Sequence, residues 1–185
     1  MIDQKDILVL DTETTGFDRK AEILQLSVID GSGEILMNEY FRPRFISSWP
    51  EAEAINHISP EMVADKPTFF EKKKEIGSLL HHAEILVGYN IRYDLRMMGH
   101  SNLFISKKIP RIDLMPVFAE IYREPSLHPE YGPWKWQKLT TCAKYYGYPE
   151  TNWHDSLADT KATLYCFWEM VKRGHLKVPG LEMSH

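Results

Sequence analysis

The stretch LVLDTETTGF, residues 8 to 17, sets two acids, Asp11 and Glu13, directly behind an apolar run. Ile7 to Leu10 leave no polar face to turn toward water and read as a short buried strand. Alternate side chains of a strand share a face, so Asp11 and Glu13 emerge side by side at its end. Two carboxylates that close repel, and burial adds to the cost of keeping both ionised. A hard divalent cation removes the conflict, because magnesium and manganese take carboxylate oxygens. The alternative is a pair of solvated acids running into a turn built by Thr14, Thr15 and Gly16, and this segment alone leaves both readings open.

Two further stretches carry acids at element junctions. ILVGYN, residues 85 to 90, is a second short apolar run that turns at Gly88 and Asn90 into a helix containing Asp94 and Met97. NWHDSLADTKAT, residues 152 to 163, opens a helix whose apolar positions are Leu157, Leu164, Trp168 and Val171. Ser156 and Asp159 have capping-box spacing and Asp155 or Ser156 could cap the helix, so capping alone accounts for these acids. His154 taken singly reads as an ordinary surface or hydrogen-bonded histidine more often than as a catalytic base. The set of a strand pair, an acid at a strand-to-helix junction, and a His with an acid five residues later is harder to assign to structure alone.

The elements that must position these groups follow from the remaining pattern. Residues 22 to 30 and 33 to 43 are strand-like runs around Gly31, Ser32 and Gly33, a hairpin that makes a meander with the first strand. Thr68 and Glu71 have capping-box spacing before the apolar positions Phe69, Ile76, Leu79, Leu80 and Ala83, and Lys72 to Lys74 are its solvated face. RID at 111 to 113 is a candidate strand, with a helix to about Arg123 and another from Leu139 to Tyr146. Strand alternating with helix points to an α/β fold. Residues 125 to 138 interrupt this order as a surface loop, in which Trp134 and Trp136 alternate with Lys135 and Lys138 in a manner suited either to base stacking or to covering the core.

A chain of 185 residues, 43% hydrophobic and 26% charged, fits one soluble globular domain over residues 1 to 185. The sequence has no signal-peptide pattern and no apolar span of membrane length, so a cytoplasmic protein with no membrane contact is expected. Cys142 and Cys166 match no metal or redox spacing and read as buried free thiols. The net charge of −4 argues against a broad basic surface for nucleic acid while allowing a local groove.

Taken together, DTETTG with Asp11 and Glu13, YNIRYD with Asn90 and Asp94, and HDSLAD with His154 and Asp159 resemble, in order and separation, the three motifs of the DEDDh branch of the DnaQ-like 3′-to-5′ exonucleases. INHISPEMV, residues 55 to 63, is similar to a family loop that lies beside the bound strand, with His57, Ile58 and Ser59 at matching positions. Tyr89 stands where many members have His, and Tyr93 where Phe often precedes the acid, a departure that touches substrate preference.

The resemblance implies a ribonuclease-H-like mixed sheet of about five strands flanked by helices. It also implies two divalent ions, Mg2+ or Mn2+, about 3.5 to 4 Å apart. Asp11, Glu13 and Asp159 would hold the ion beside the attacking water, Asp11 would bridge to the second and Asp94 would support it. His154 would accept the water's proton. Thr14, Thr15, Gly16, Phe17, His57, Ile58 and Asn90 would contact nucleic acid with a free 3′ end, single-stranded DNA before RNA, with a polymerase or repair complex as partner. Two rivals stand beside this. DTETT resembles the D-x-D-x-T motif of haloacid-dehalogenase-like phosphatases, against which Glu13 replaces the second Asp and no apolar strand precedes Asp155. The other is a non-catalytic nucleic-acid-binding module of the same fold.

Overall fold

The first strand, opened by four apolar residues, lies in the middle of the sheet. The computed structural model describes residues 2–149, 153 and 155–181. In chain order the elements are β1 (Ile7–Thr14), β2 (Ile23–Asp30), β3 (Ile35–Tyr40), α1 (Pro50–Asn56), α2 (Pro60–Val63), α3 (Phe69–His81), β4 (Ile85–Gly88), α4 (Ile91–His100), β5 (Arg111–Asp113), α5 (Leu114–Tyr122), α6 (Leu139–Tyr146) and α7 (Ser156–Lys172). The five strands lie in the order β3-β2-β1-β4-β5. The meander pairs β1, β2 and β3 antiparallel, whereas β4 and β5 join parallel to β1. This is the mixed sheet that the resemblance implies, and its antiparallel half departs from the all-parallel arrangement of helix-connected strands.

Alternation along β1 divides the core into two layers. Leu8 and Leu10 pack with Ile76, Leu80, Met97 and Met98 of α3 and α4, while Ile7 and Val9 pack with Phe118, Cys142, Phe167 and Met170 of α5, α6 and α7. Both cysteines are buried and free. The strand continues to Thr14 rather than ending at Leu10, because Asp11, Thr12 and Glu13 keep pairing with Ser27, Leu26 and Gln25 of β2. The alternation therefore carries on through the acids: Asp11 and Glu13 share the face of Ile7 and Val9, and Thr12 and Thr14 the other.

The capping box at Thr68 and Glu71 is formed, with Thr68 N–H donating to Glu71 Oε2 at 2.7 Å and Glu71 N–H to Thr68 Oγ1 at 3.3 Å. The lysines behind it are engaged as well as solvated, since Lys72 pairs with Glu75 at 2.8 Å and Lys73 Nζ sits 3.8 Å from the Phe70 ring centroid. The 125 to 138 segment is a surface excursion closed by a bridge between Pro125 and Trp134, with Trp134 half-buried and Trp136 exposed. Among the described residues no helix is long and apolar enough to cross a membrane.

The turn from β4 into α4 is tight, because a Cβ on Gly88 would lie 2.8 Å from Ile91 Cβ. Only a residue without a side chain lets α4 begin this near the sheet. Gly88→Ala is therefore expected to cost about 1–3 kcal/mol, as overpacking of a close contact typically does, read as a lowered midpoint in denaturant unfolding.

Candidate active site

Three carboxylates from β1 and α7 converge. One oxygen from each of Asp11, Glu13 and Asp159 lies within 4.8 Å of the others. Strand alternation turns Asp11 and Glu13 toward the α7 side, and Asp159 falls in the first turn of α7. The cap of that helix is Asp155, whose Oδ1 accepts the Ala158 N–H at 3.0 Å. Ser156 is fully buried instead, its Oγ 3.2 Å from Asp11 O, so the Ser156–Asp159 capping box does not form. His154 lies outside the described residues.

Asp94 reaches the same strand from its other face. Its Oδ1 accepts from Thr12 N–H at 3.1 Å and Thr12 Oγ1 at 2.6 Å, and the residue is only 3% exposed. The carboxylates of Asp94 and of the trio thus flank a single stretch of β1. Asn90, just before α4, holds a left-handed backbone (φ 68°) and donates its N–H to Asp113 Oδ1 at 2.9 Å.

The groups expected beside the substrate divide in two. Phe17 is 77% exposed, its ring 5.9 Å from that of Tyr93, the residue before Asp94. His57 is exposed at the end of α1. Thr14 instead turns inward, its hydroxyl bonded to Gly16 O at 2.8 Å and Tyr93 Oη at 2.6 Å, and Thr15 Oγ1 accepts the Glu22 N–H at 3.0 Å. Ile58 is a correction: it is 2% exposed and packs with Leu24, Trp49 and Val63, with its carbonyl accepting Trp49 Nε1 at 2.7 Å. A side chain enclosed in that cluster cannot lie against a base.

Three positions, Gln25, Ser27 and Asn56, escaped sequence reasoning, and Tyr93 stands there only as a departure from the family pattern. Gln25 donates to Asn38 Oδ1 at 3.0 Å and Asp155 Oδ2 at 3.2 Å while its Oε1 accepts the Ser156 N–H at 3.2 Å, and Ser27 receives the Ser156 hydroxyl at 2.6 Å. This buried polar network seats the start of α7 on β2 and so places Asp159; polar residues at 25 and 27 within an otherwise apolar run were the available signal. Asn56 donates to Thr14 O at 3.2 Å and lies against Glu13. Tyr93 ties its hydroxyl to Gly16 O at 2.7 Å, holding the turn that presents Phe17.

The sequence profile of the RNase T exonuclease family matches residues 8–167. The chain belongs to this exonuclease family. A relative, the uncharacterized exonuclease CP81 of Escherichia phage 186, is 32% identical over 184 residues, covering 92% of this chain and 91% of the phage protein. The Escherichia coli DNA polymerase III subunit epsilon is 26% identical over 149 residues, 75% of this chain and 59% of that subunit. Among solved structures, the zinc-bound E. coli exonuclease I complex with single-stranded DNA matches with a TM-score of 0.72 at 25% identity, over 90% of this chain and 40% of that one. The RNase T family chain is thus a hydrolytic nuclease, a 3′-to-5′ exonuclease of the DnaQ-like, ribonuclease-H-like class, and the phosphatase alternative falls away.

The electrostatics of the exonuclease site suit a divalent cation. Burial, then the neighbouring charges of Asp94, Asp159 and Glu13, push the Asp11 carboxyl well above the usual carboxylate range. Burial and Asp159 raise Glu13 to about 8 against the opposing hydrogen bond from Asn56. Burial raises Asp94 to about 7 although Thr12 stabilises its ionised form. A set of hard oxygen donors that repel one another in a confined space fits divalent-metal binding.

Without cations, the folded chain holds protons on these carboxylates at pH values where the unfolded chain has released them, so stability falls as pH rises from the ordinary carboxylate range toward 8. Asp11→Asn deletes one of the charges. The cation-free variant should melt above the cation-free wild type at pH 8, and added magnesium should raise the melting temperature of the wild type and leave that of the variant unchanged. Thermal denaturation with chelator or magnesium reads both. For Ile58→Ala, loss of a buried aliphatic side chain should cost about 2–5 kcal/mol, with KM for an oligonucleotide unaltered, measurable by urea unfolding alongside kinetics.

Proposed function

We propose that the chain removes nucleotides one at a time from the 3′ end of single-stranded or frayed DNA, releasing nucleoside 5′-monophosphates with the help of two divalent ions, Mg2+ or Mn2+. The observation that carries this reading is the convergence of Asp11, Glu13 and Asp159 within 4.8 Å, with Asp94 bonded to the intervening Thr12. Divalent cations supply positive charge against the phosphate oxygens and acidify water. Asp11, Glu13 and Asp159 would hold them, and Asp94 would contribute from α4. His154, one residue before the cap of α7, accepts the proton of the attacking water. The water oxygen bonds to phosphorus, the bond from phosphorus to the 3′ oxygen of the preceding nucleotide breaks, and that oxygen takes up a proton.

Phe17 supports the preference for unpaired ends. An exposed ring beside the acids offers the terminal base a stacking surface, worth roughly 1–3 kcal/mol, once that base has left any duplex. The likeness to a polymerase III subunit supports a polymerase or repair complex as the protein partner. The chain spans 59% of that subunit, and its other contacts stay with the subunit.

Purified protein with magnesium should shorten a 5′-labelled single strand from its 3′-hydroxyl faster than a blunt duplex of the same sequence, and chelator should stop it. His154→Ala should lower kcat about 10² to 10⁴-fold, as loss of a general base does, with the affinity for metal measured by calorimetry close to wild type. Activity in excess chelator, products from the 5′ end, or equal loss of metal affinity in Asp11→Asn and His154→Ala would overturn the assignment.

A further inference from the structure

A groove of about 890 Å³ runs along the outer flank of α4, between that helix, the segment around residues 104 to 107 and β5. Its buried lining is Ile91 and Ile105, while Arg92, Arg96, Lys107 and Arg111 line it as exposed cations. Arg92, Arg96 and His100 follow one another at a spacing of four and so form a single row on the helix. None of the four exposed cations forms an ion pair among the described residues, whereas Lys72, Lys135 and Arg173 elsewhere in this net-acidic chain do. The carboxylate that enters the groove, Asp113, is occupied by the N–H groups of Asn90 and Met115 at 2.9 and 3.2 Å.

An open aromatic ring stands among these charges. Phe104 is 73% exposed and lies over Gly99, where an added Cβ would be 3.4 Å from the ring. The groove and the acidic cluster share α4, which lines the first and carries Asp94 to the second. The Arg96 guanidinium lies 5.2 Å from the Tyr93 ring centroid, Tyr93 packs on Phe17, and the next residue, Asp94, is bonded to Thr12. Cations interleaved with an exposed aromatic are the chemistry that grips a strand without reading its sequence.

We infer that this groove carries the phosphodiester backbone of single-stranded nucleic acid upstream of the terminal nucleotide. Arg92, Arg96, Lys107 and Arg111 meet its phosphates and Phe104 stacks on a base. The inference rests on the proposed reaction in that it takes the strand's 3′ end to lie at Asp11, Glu13 and Asp159.

The test compares wild type with Arg96→Glu/Lys107→Glu on two substrates, a twelve-residue oligothymidylate and the p-nitrophenyl ester of thymidine 5′-monophosphate, which has no upstream phosphate. The double variant should raise KM for the oligonucleotide about tenfold or more at low salt and leave ester hydrolysis unchanged, which also shows that it folds. Anisotropy of labelled oligothymidylate in chelator should give a slope of log affinity against log salt reduced by about 0.7 for each lost phosphate contact. Phe104→Ala should weaken binding with that slope intact. Wild-type KM and slope in the double variant would overturn the inference. Salt-dependent binding that the double variant loses, in a wild type that hydrolyses neither substrate, would support the groove and overturn the reading of the acidic cluster.

Discussion

The structure turns on one unfavourable interaction, the mutual repulsion of buried carboxylates around a single strand. Asp11, Glu13 and Asp159 crowd one face of β1 and Asp94 the other, and burial is the leading cause of the upward shift of each of Asp11, Glu13 and Asp94. Such a cluster persists only if its supports are fixed by something stronger than its own preference. Leu8, Leu10, Ile7 and Val9 provide that, because they anchor β1 between two apolar layers immediately before the acids begin. The cluster is held by packing upstream and relieved by whatever positive charge enters.

Each acid has its own positional device. Glu13 and Asp11 need only strand alternation. Asp94 depends on Gly88, which lets α4 start close to the sheet, and on the two donors of Thr12. Asp159 depends on a buried polar network running from Asn38 through Gln25 and Ser27 to Ser156, with Asp155 closing the first turn of α7. The network is satisfied group by group, which is the condition under which buried polar side chains specify a geometry rather than weaken it.

The order of the strands and of α3 to α7 was legible because periodicity and capping are local, as the run at Ile7, the hairpin at Gly31 and the box at Thr68 and Glu71 illustrate, whereas α1 and α2 were not anticipated and fall partly where a loop was expected. The acids were legible because charge behind an apolar run is conspicuous. Ile58 was misread since whether a loop aliphatic faces a ligand or a core is decided by Trp49 and Leu24, which are distant in pattern though close in space. The role of Gln25 was hidden for the same reason: a polar residue in a strand signals that a partner exists without saying that the partner is Ser156, 131 positions later. Extension of β1 through the acids came from pairing with β2, which overrides the low strand preference of Asp and Glu.

The excursion between Glu124 and Lys138 has a pinched neck. Pro125 bridges Trp134, and Glu124 grips both Lys135 Nζ at 2.7 Å and Gln137 Nε2 at 2.9 Å, so the two ends of the segment are clasped to each other. Whatever lies beyond the neck is mechanically isolated from α5 and α6. Lengthening the tip, or grafting a folded module onto it, would leave the spacing of the neck unchanged and transmit no strain to the acids. The scaffold thus contains a tolerant port at which new specificity could be added by insertion while the chemistry stays where it is.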